Sequence, residues 1–313
     1  MRAAYIESYG QTPSVRDLPE PEGELPVGRV LAAGINPVDL MISGGEYYAI
    51  RPKPPYTPGM EGVAEREDGS RVYFGRPGDL KHGSLAEQLL LHPDETFDLP
   101  EGTDPAVAIG CGIAGIAAYL SVVDRGAIKP GEKVVVTGAT GAAGRLAVQI
   151  AKNAGAGEVV AIGRSEAALE EVKALGADQT LRFHGPLYLH QAELRDSLEG
   201  GADLIIDFTW GAPAMAALNC AAQDARLIQV GNAASLGVGL SATELRRGNY
   251  TIQGYSNWNQ TLERKHEAFL ELLAQVKDGK LKLNTEEVGL DDVPAAWERQ
   301  AGSPGAKLVV VTD

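Results

Sequence analysis

KVVVTGATGAAGRLAVQIAK, Lys133–Lys152, is the stretch that decides the fold. Strand-forming residues run into a glycine turn, and the turn runs into a helix with small and apolar residues at helical spacing. Gly138, Gly141 and Gly144 stand at G-x-x-G-x-x-G spacing, a variant of the dinucleotide fingerprint with Ala139 at its first glycine position. Gly141 lets backbone approach a pyrophosphate, and Gly144 lets helix pack on strand. Together with Ala139, Thr140, Ala142 and Ala143, these residues form the candidate phosphate loop. Anions are favoured at a helix N-terminus by its unpaired N–H groups and its dipole.

Working outward, apolar runs alternate with alanine- and leucine-rich helical segments, which predicts a parallel α/β sheet. Strands are expected near Lys133–Thr137, Glu158–Ile162, Asp203–Phe208, Arg226–Gly231 and Thr251–Gly254. Helices are expected near Gly144–Gly155, Glu166–Leu175, Ala212–Cys220 and Leu262–Asp278. The residues before Ala106 read differently: Gly- and Pro-rich turns separate short runs such as Gly28–Gly34 and Ser84–Leu91, the pattern of a mostly β domain. The terminal run Lys307–Val311 has no helix after it and is free to return to that first domain.

At the end of the second parallel strand, roughly 20 residues past the glycines, an acidic residue binds the ribose of NAD, whereas arginine accommodates the extra phosphate of NADP. Here the chain reads Gly163-Arg164-Ser165. A planar guanidinium suits phosphate, so NADP(H) is the expected cofactor. The alternative is a surface arginine, with Glu166 opening the next helix.

With 313 residues, two domains are expected. The formal charge of −14 disfavours nucleic acid and anionic membrane surfaces as partners. No stretch is expected to reach the ~20 uninterrupted apolar residues of a membrane span. Cys111 and Cys220 are too few for a disulfide framework or a four-cysteine metal site, which fits a cytoplasmic protein. His184 and His190 lack neighbouring cysteines and read as surface residues.

Taken over nearly its full length, the chain resembles the medium-chain dehydrogenase/reductase superfamily, in its zinc-independent quinone oxidoreductase branch. The resemblance is carried by AAGINPVDLMISGGEY, PPYTPGMEGVA, GAIKPGEKVVVTGATGAAGRLAVQIAKNAGA and the closing GAKLVVVTD. It implies a GroES-like catalytic domain made from both chain ends, residues 1–107 and 263–313, around a Rossmann domain at 108–262, with the active site in the interdomain cleft. At the superfamily's zinc-ligand positions stand Asn36, Met60 and, approximately, Ile113, so no metal is expected.

By the same resemblance Asn36 faces nicotinamide and substrate; the alternative is an asparagine that starts the Asn36-Pro37 turn. Asp39 either orients that loop, works in a proton relay, or caps a short helix. Tyr47 or Tyr48 offers a phenol, or is a packed aromatic. Gly231, Asn232, Ser256 and Asn257 are expected to line the cofactor, as is Lys307 unless it is a strand-edge lysine. Ala117 replaces a common threonine, and the Asp207–Gly211 turn carries Phe208 and Trp210, expected on the cleft side.

The implied activity is NADPH-dependent reduction of a quinone or enone by a homodimer. Alternatives are an alcohol or aldehyde oxidoreductase, and a weakly catalytic NADPH-binding redox sensor.

Overall fold

The computed structural model describes residues 1–184, 192 and 194–312; His190 lies outside the described residues. The chain divides into two compact units. One comprises Met1–Ala114, Leu262–Phe269 and Leu283–Asp313, and the other comprises Gly115–Thr261 and Leu270–Lys282.

The second unit is built on a six-stranded parallel sheet. Its order is Gln179–Arg182, Glu158–Gly163, Lys133–Thr137, Ala202–Asp207, Ala221–Gln229, Thr251–Gly254. This is the doubly wound order of a Rossmann domain, in which sequence neighbours run outward from Lys133–Thr137 in one direction and from Ala202–Asp207 in the other. Val134, Val135 and Val136 are fully buried, as continuous apolar runs must be in a sheet covered on both faces. Boundaries shift by one to five residues from the sequence reading, two of them at the glycine turn and the fifth strand. The helix after the glycines begins at Ala142, and the fifth strand ends at Gln229, which leaves Gly231 in the following loop.

The first unit centres on a seven-stranded, mainly antiparallel sheet. Val27–Ile35 lies at its middle, flanked by Lys307–Val311 and Glu61–Glu65. The strand Lys307–Val311 thus lies in the same sheet as Val27–Ile35 and Glu61–Glu65. Leu308 pairs with Ile35, and Gly34 pairs with Glu61. These registers bring Lys307 and Glu61 to the end of the strand that leads into Asn36. Tyr73, Phe97 and Phe269 stack beneath them, with the Tyr73 and Phe269 ring centroids 4.7 Å apart.

One expectation is corrected. Pro105–Arg125 is long and apolar enough by composition to cross a membrane, although two thirds of its most apolar window is buried within the protein. The uncharged course of residues 105–123 reflects core packing: Ala108, Ile109, Cys111, Ile116, Ala118 and Leu120 are buried, and the helix is interrupted at Gly112.

Candidate active site

In the parallel-sheet unit, the candidate phosphate loop leaves Lys133–Thr137 with Gly138 at φ +67° and enters the helix Ala142–Asn153 at Gly141, which has no side-chain cap. The first N–H groups of that helix therefore have no acceptor within it. A Cβ on Gly144 would lie 2.2 Å from the carbonyl oxygen of Gly138, so only glycine permits this close turn. At Gly141 such a Cβ would meet the Gly138 carbonyl oxygen at 3.5 Å, an ordinary contact. Packing of this kind leaves room at the glycine where a pyrophosphate would approach and closes it where helix meets strand.

The loop is braced by a residue that its glycine pattern does not reveal. Arg145 is buried; its Nε donates to the Thr140 carbonyl at 3.0 Å, and its guanidinium reaches Glu171 at 2.7 Å. Asp207 ties the neighbouring strand end. Its carboxylate accepts from Thr137 Oγ1, from Thr209 N–H and O–H at 3.0 and 2.9 Å, and from Trp210 N–H at 3.0 Å. Burial still pushes the Asp207 carboxyl above the usual range. Trp210, held at φ +56°, packs against the hydrophobic core of this unit.

Arg164 lies exposed at the end of Glu158–Gly163, where the cofactor's 2′-position is expected. Ser165 caps the next helix by accepting from Ala168 N–H at 3.3 Å. A second guanidinium stands nearby: Arg182 Nε donates to the Arg164 carbonyl at 3.2 Å, and its other arm is 3.6 Å from Glu166. The only sequence signal for Arg182 is its place at the end of the adjacent parallel strand. Gly231 and Asn232 are half-buried after the fifth strand. Ser256 Oγ accepts from Trp258 N–H, and Asn257 Oδ1 accepts from the Tyr255 hydroxyl.

In the β unit, Asn36, Glu61, Tyr73 and Lys307 form one buried network. Glu61 Oε1 accepts from Lys307 Nζ and, at 2.9 Å, from Asn36 Nδ2. Its Oε2 accepts from the Tyr73 hydroxyl at 2.9 Å and Ile113 N–H at 2.7 Å. Lys307 Nζ also donates to Asn36 Oδ1, so both ends of the asparagine amide are held. A Cβ on Gly34 would lie 2.3 Å from Glu61 Oε1 and 2.7 Å from Lys307 Nζ, so the missing side chain makes the space for this ion pair. Such a pair is tolerated away from water only because nearly every lone pair is satisfied.

Asn36 is the residue before the helix Pro37–Ser43, and Asp39 Oδ2 accepts its backbone N–H at 2.7 Å. Asp39 therefore does cap the helix. Burial raises its carboxyl to about 7, against the lowering effects of the Asn36 N–H and Lys307. Tyr47 is half-buried with its ring 4.9 Å from that of Tyr48, which is 76% exposed. The position of Lys307 in this network is not that of a strand-edge lysine. Glu61, Tyr73 and Tyr56, like Arg145 and Arg182, were not singled out by the sequence reading.

A family model described as zinc-binding dehydrogenase matches residues 142–275. A quinone oxidoreductase from Lama guanicoe is 28% identical over 99% of this chain and 97% of its own. A prostaglandin reductase-3 from Mus musculus is 26% identical, over 94% and 84%. The quinone oxidoreductase of Thermus thermophilus, whose structure was solved alone and with NADPH, superposes with a TM-score of 0.85 at 29% identity over all of both chains. The likeness to quinone oxidoreductases runs over the full length of the chain, and it supports an oxidoreductase of the medium-chain dehydrogenase/reductase superfamily.

Proposed function

We propose that this chain is an NADPH-dependent, zinc-independent reductase of quinones or other conjugated carbonyl compounds. The reading is carried by the full-length likeness to the Thermus thermophilus quinone oxidoreductase studied with NADPH. Gly163-Arg164-Ser165 supports it, because the strand end carries a guanidinium in place of the carboxylate that would repel a 2′-phosphate, and Arg182 adds a second positive group. In this reading the N–H groups around Gly141 hold the pyrophosphate, Gly231, Asn232, Ser256 and Asn257 line the nicotinamide half, and the dinucleotide supplies hydride. Asn36 and Tyr47 orient the acceptor oxygen, and Glu61 and Lys307 fix the Asn36 amide. Tyr48, being largely exposed, is the weaker of the two phenol candidates.

The residues at the superfamily's zinc positions do not fit the metal. Asn36 has its amide engaged on both sides, and Met60 is buried. The thiol of Cys111 is pushed by burial up to about 12, far from the thiolate a zinc site uses. Without a Lewis acid an alkoxide is poorly stabilised, whereas a conjugated acceptor spreads its charge. A cytoplasmic homodimer joined edge to edge through Thr251–Gly254, an edge strand of the parallel sheet, completes the reading. It has no nucleic-acid or membrane partner.

Initial rates of NADPH oxidation with a panel of small quinones and enones, set against NADP reduction by simple alcohols, test the proposal. Acceptor reduction should be much the faster and should survive chelation. Faster alcohol oxidation, or activity lost with about one zinc per chain, would refute it.

A further inference from the structure

Beside Asn36, the helix Pro37–Ser43 presents Asp39 to a small cavity lined also by Ile42, Tyr56, Thr57, Gly59 and Met60. Asp39 and Tyr56 are 2% and 3% exposed. Among the described residues, neither Asp39 Oδ1 nor the Tyr56 hydroxyl has a hydrogen-bond partner. Each such buried group is costly if nothing satisfies it. The cavity measures about 10 Å³, the lower limit for one water molecule. Water is also the ligand whose chemistry fits, because it donates twice and accepts twice and so satisfies a carboxyl and a phenol that do not reach each other.

We propose that this cavity is a binding site for one water molecule that bridges Asp39 Oδ1 and the Tyr56 hydroxyl, making a buried proton-sharing site next to Asn36. Burial holds the Tyr56 phenol above its ordinary range, with the Asp39 charge adding to the effect. The charges acting on Asp39 are Glu61, from the strand Glu61–Glu65, and Lys307, from the terminal strand, which oppose each other. The helix Val293–Ala301 also packs against Pro37–Ser43, but its Glu298 and Arg299 are exposed. Because Asp39 Oδ2 holds the Asn36 N–H, ionisation of the carboxyl is transmitted to the residue whose amide Glu61 and Lys307 grip. The proposal is independent of the acceptor assigned above, since its test reads protonation and not turnover.

The test is infrared titration of the buried carboxyl in aspartate-labelled full-length protein, with Asp39→Asn identifying the band and Tyr56→Phe as the probe. With the water anchored as proposed, Tyr56→Phe removes a partner that stabilises the ionised form. The midpoint should then rise by about one unit, the scale of one hydrogen bond to a charged group. An unmoved midpoint overturns the proposal. Should Tyr56→Phe fail to fold, a high-resolution crystal structure of the parent protein decides instead. Density for one water within hydrogen-bonding distance of both atoms supports the site, and its absence overturns it.

Discussion

The two units build their candidate functional residues on opposite principles. In the parallel-sheet unit, the phosphate loop is made almost wholly of backbone drawn from seven consecutive residues, Gly138–Gly144. Its design lies in where side chains are missing. In the β unit, the Asn36 network is made of side chains, and Lys307 lies 271 residues from Asn36 and 246 from Glu61. The loop is rigid because sterics leave one path for the chain. The network is rigid because each polar atom has a partner and no water to compete for it. They should therefore fail differently, the loop through clash and lost affinity, the network through unpaired charge.

The largest effect is expected from Glu61→Ala, which strands the Lys307 ammonium in a dry site. Loss of one partner of a buried pair costs about 3–5 kcal/mol, so urea unfolding should show a shift of that order. The double variant Glu61→Gln, Lys307→Met should lose clearly less than the sum of its single changes, because it removes the charge along with its partner. Additive losses would mean that the pair is not coupled as its geometry requires.

Next in size is a pH effect that belongs to the network alone. The folded-state carboxyl of Asp39 is raised from 3.8 to about 7, so between those values the folded state keeps a proton that the unfolded chain has released. Its contribution is fully present below the unfolded value, declines as pH rises, and is gone above the folded one. Thermal scans should show the parent protein losing ~2–4 kcal/mol more than Asp39→Asn between pH 4 and 8. Parallel curves would place the carboxyl in the ordinary range.

For the loop, Gly144→Ala forces a Cβ against the Gly138 carbonyl. Overpacking of this kind costs about 1–3 kcal/mol, and NADPH affinity measured by fluorescence titration should fall at least as steeply. The smallest expected effect is at the rim, where Arg164→Ala should weaken NADPH binding about tenfold and leave NADH nearly unchanged. Arg182→Ala should act in the same direction. If neither changes the ratio of the two affinities, the 2′-phosphate is held elsewhere.

The same contrast explains what could be read from the residues in order. Lys133–Lys152 showed strand, turn and helix because a glycine pattern is local, and the strand Lys133–Thr137 lies where its run of valines put it. The alternative left open for Asp39, a helix cap, was also legible, since an acidic residue at the third helical position is a local signal. Glu61 and Tyr73 carried no such signal, for nothing within a few residues of either marks it as a partner of Asn36. Arg145 was equally silent, one basic residue on a helix whose other face is apolar. The charge-free course of Pro105–Val123 was misjudged because a core helix and a membrane helix are alike in composition.

By itself, then, the amino-acid order determined the parallel α/β sheet, the glycine turn at the end of its first strand and the arginine at the end of the second, since each depends on residues adjacent along the chain. Tertiary structure alone decided that Lys307 faces Asn36, that Gly34 leaves room for an ion pair, and that Asp39 and Tyr56 share a cavity. The pairing of Leu308 with Ile35 and of Gly34 with Glu61 sets those contacts. Strand register is a choice made by a whole sheet burying its apolar face, and no single stretch of sequence contains it.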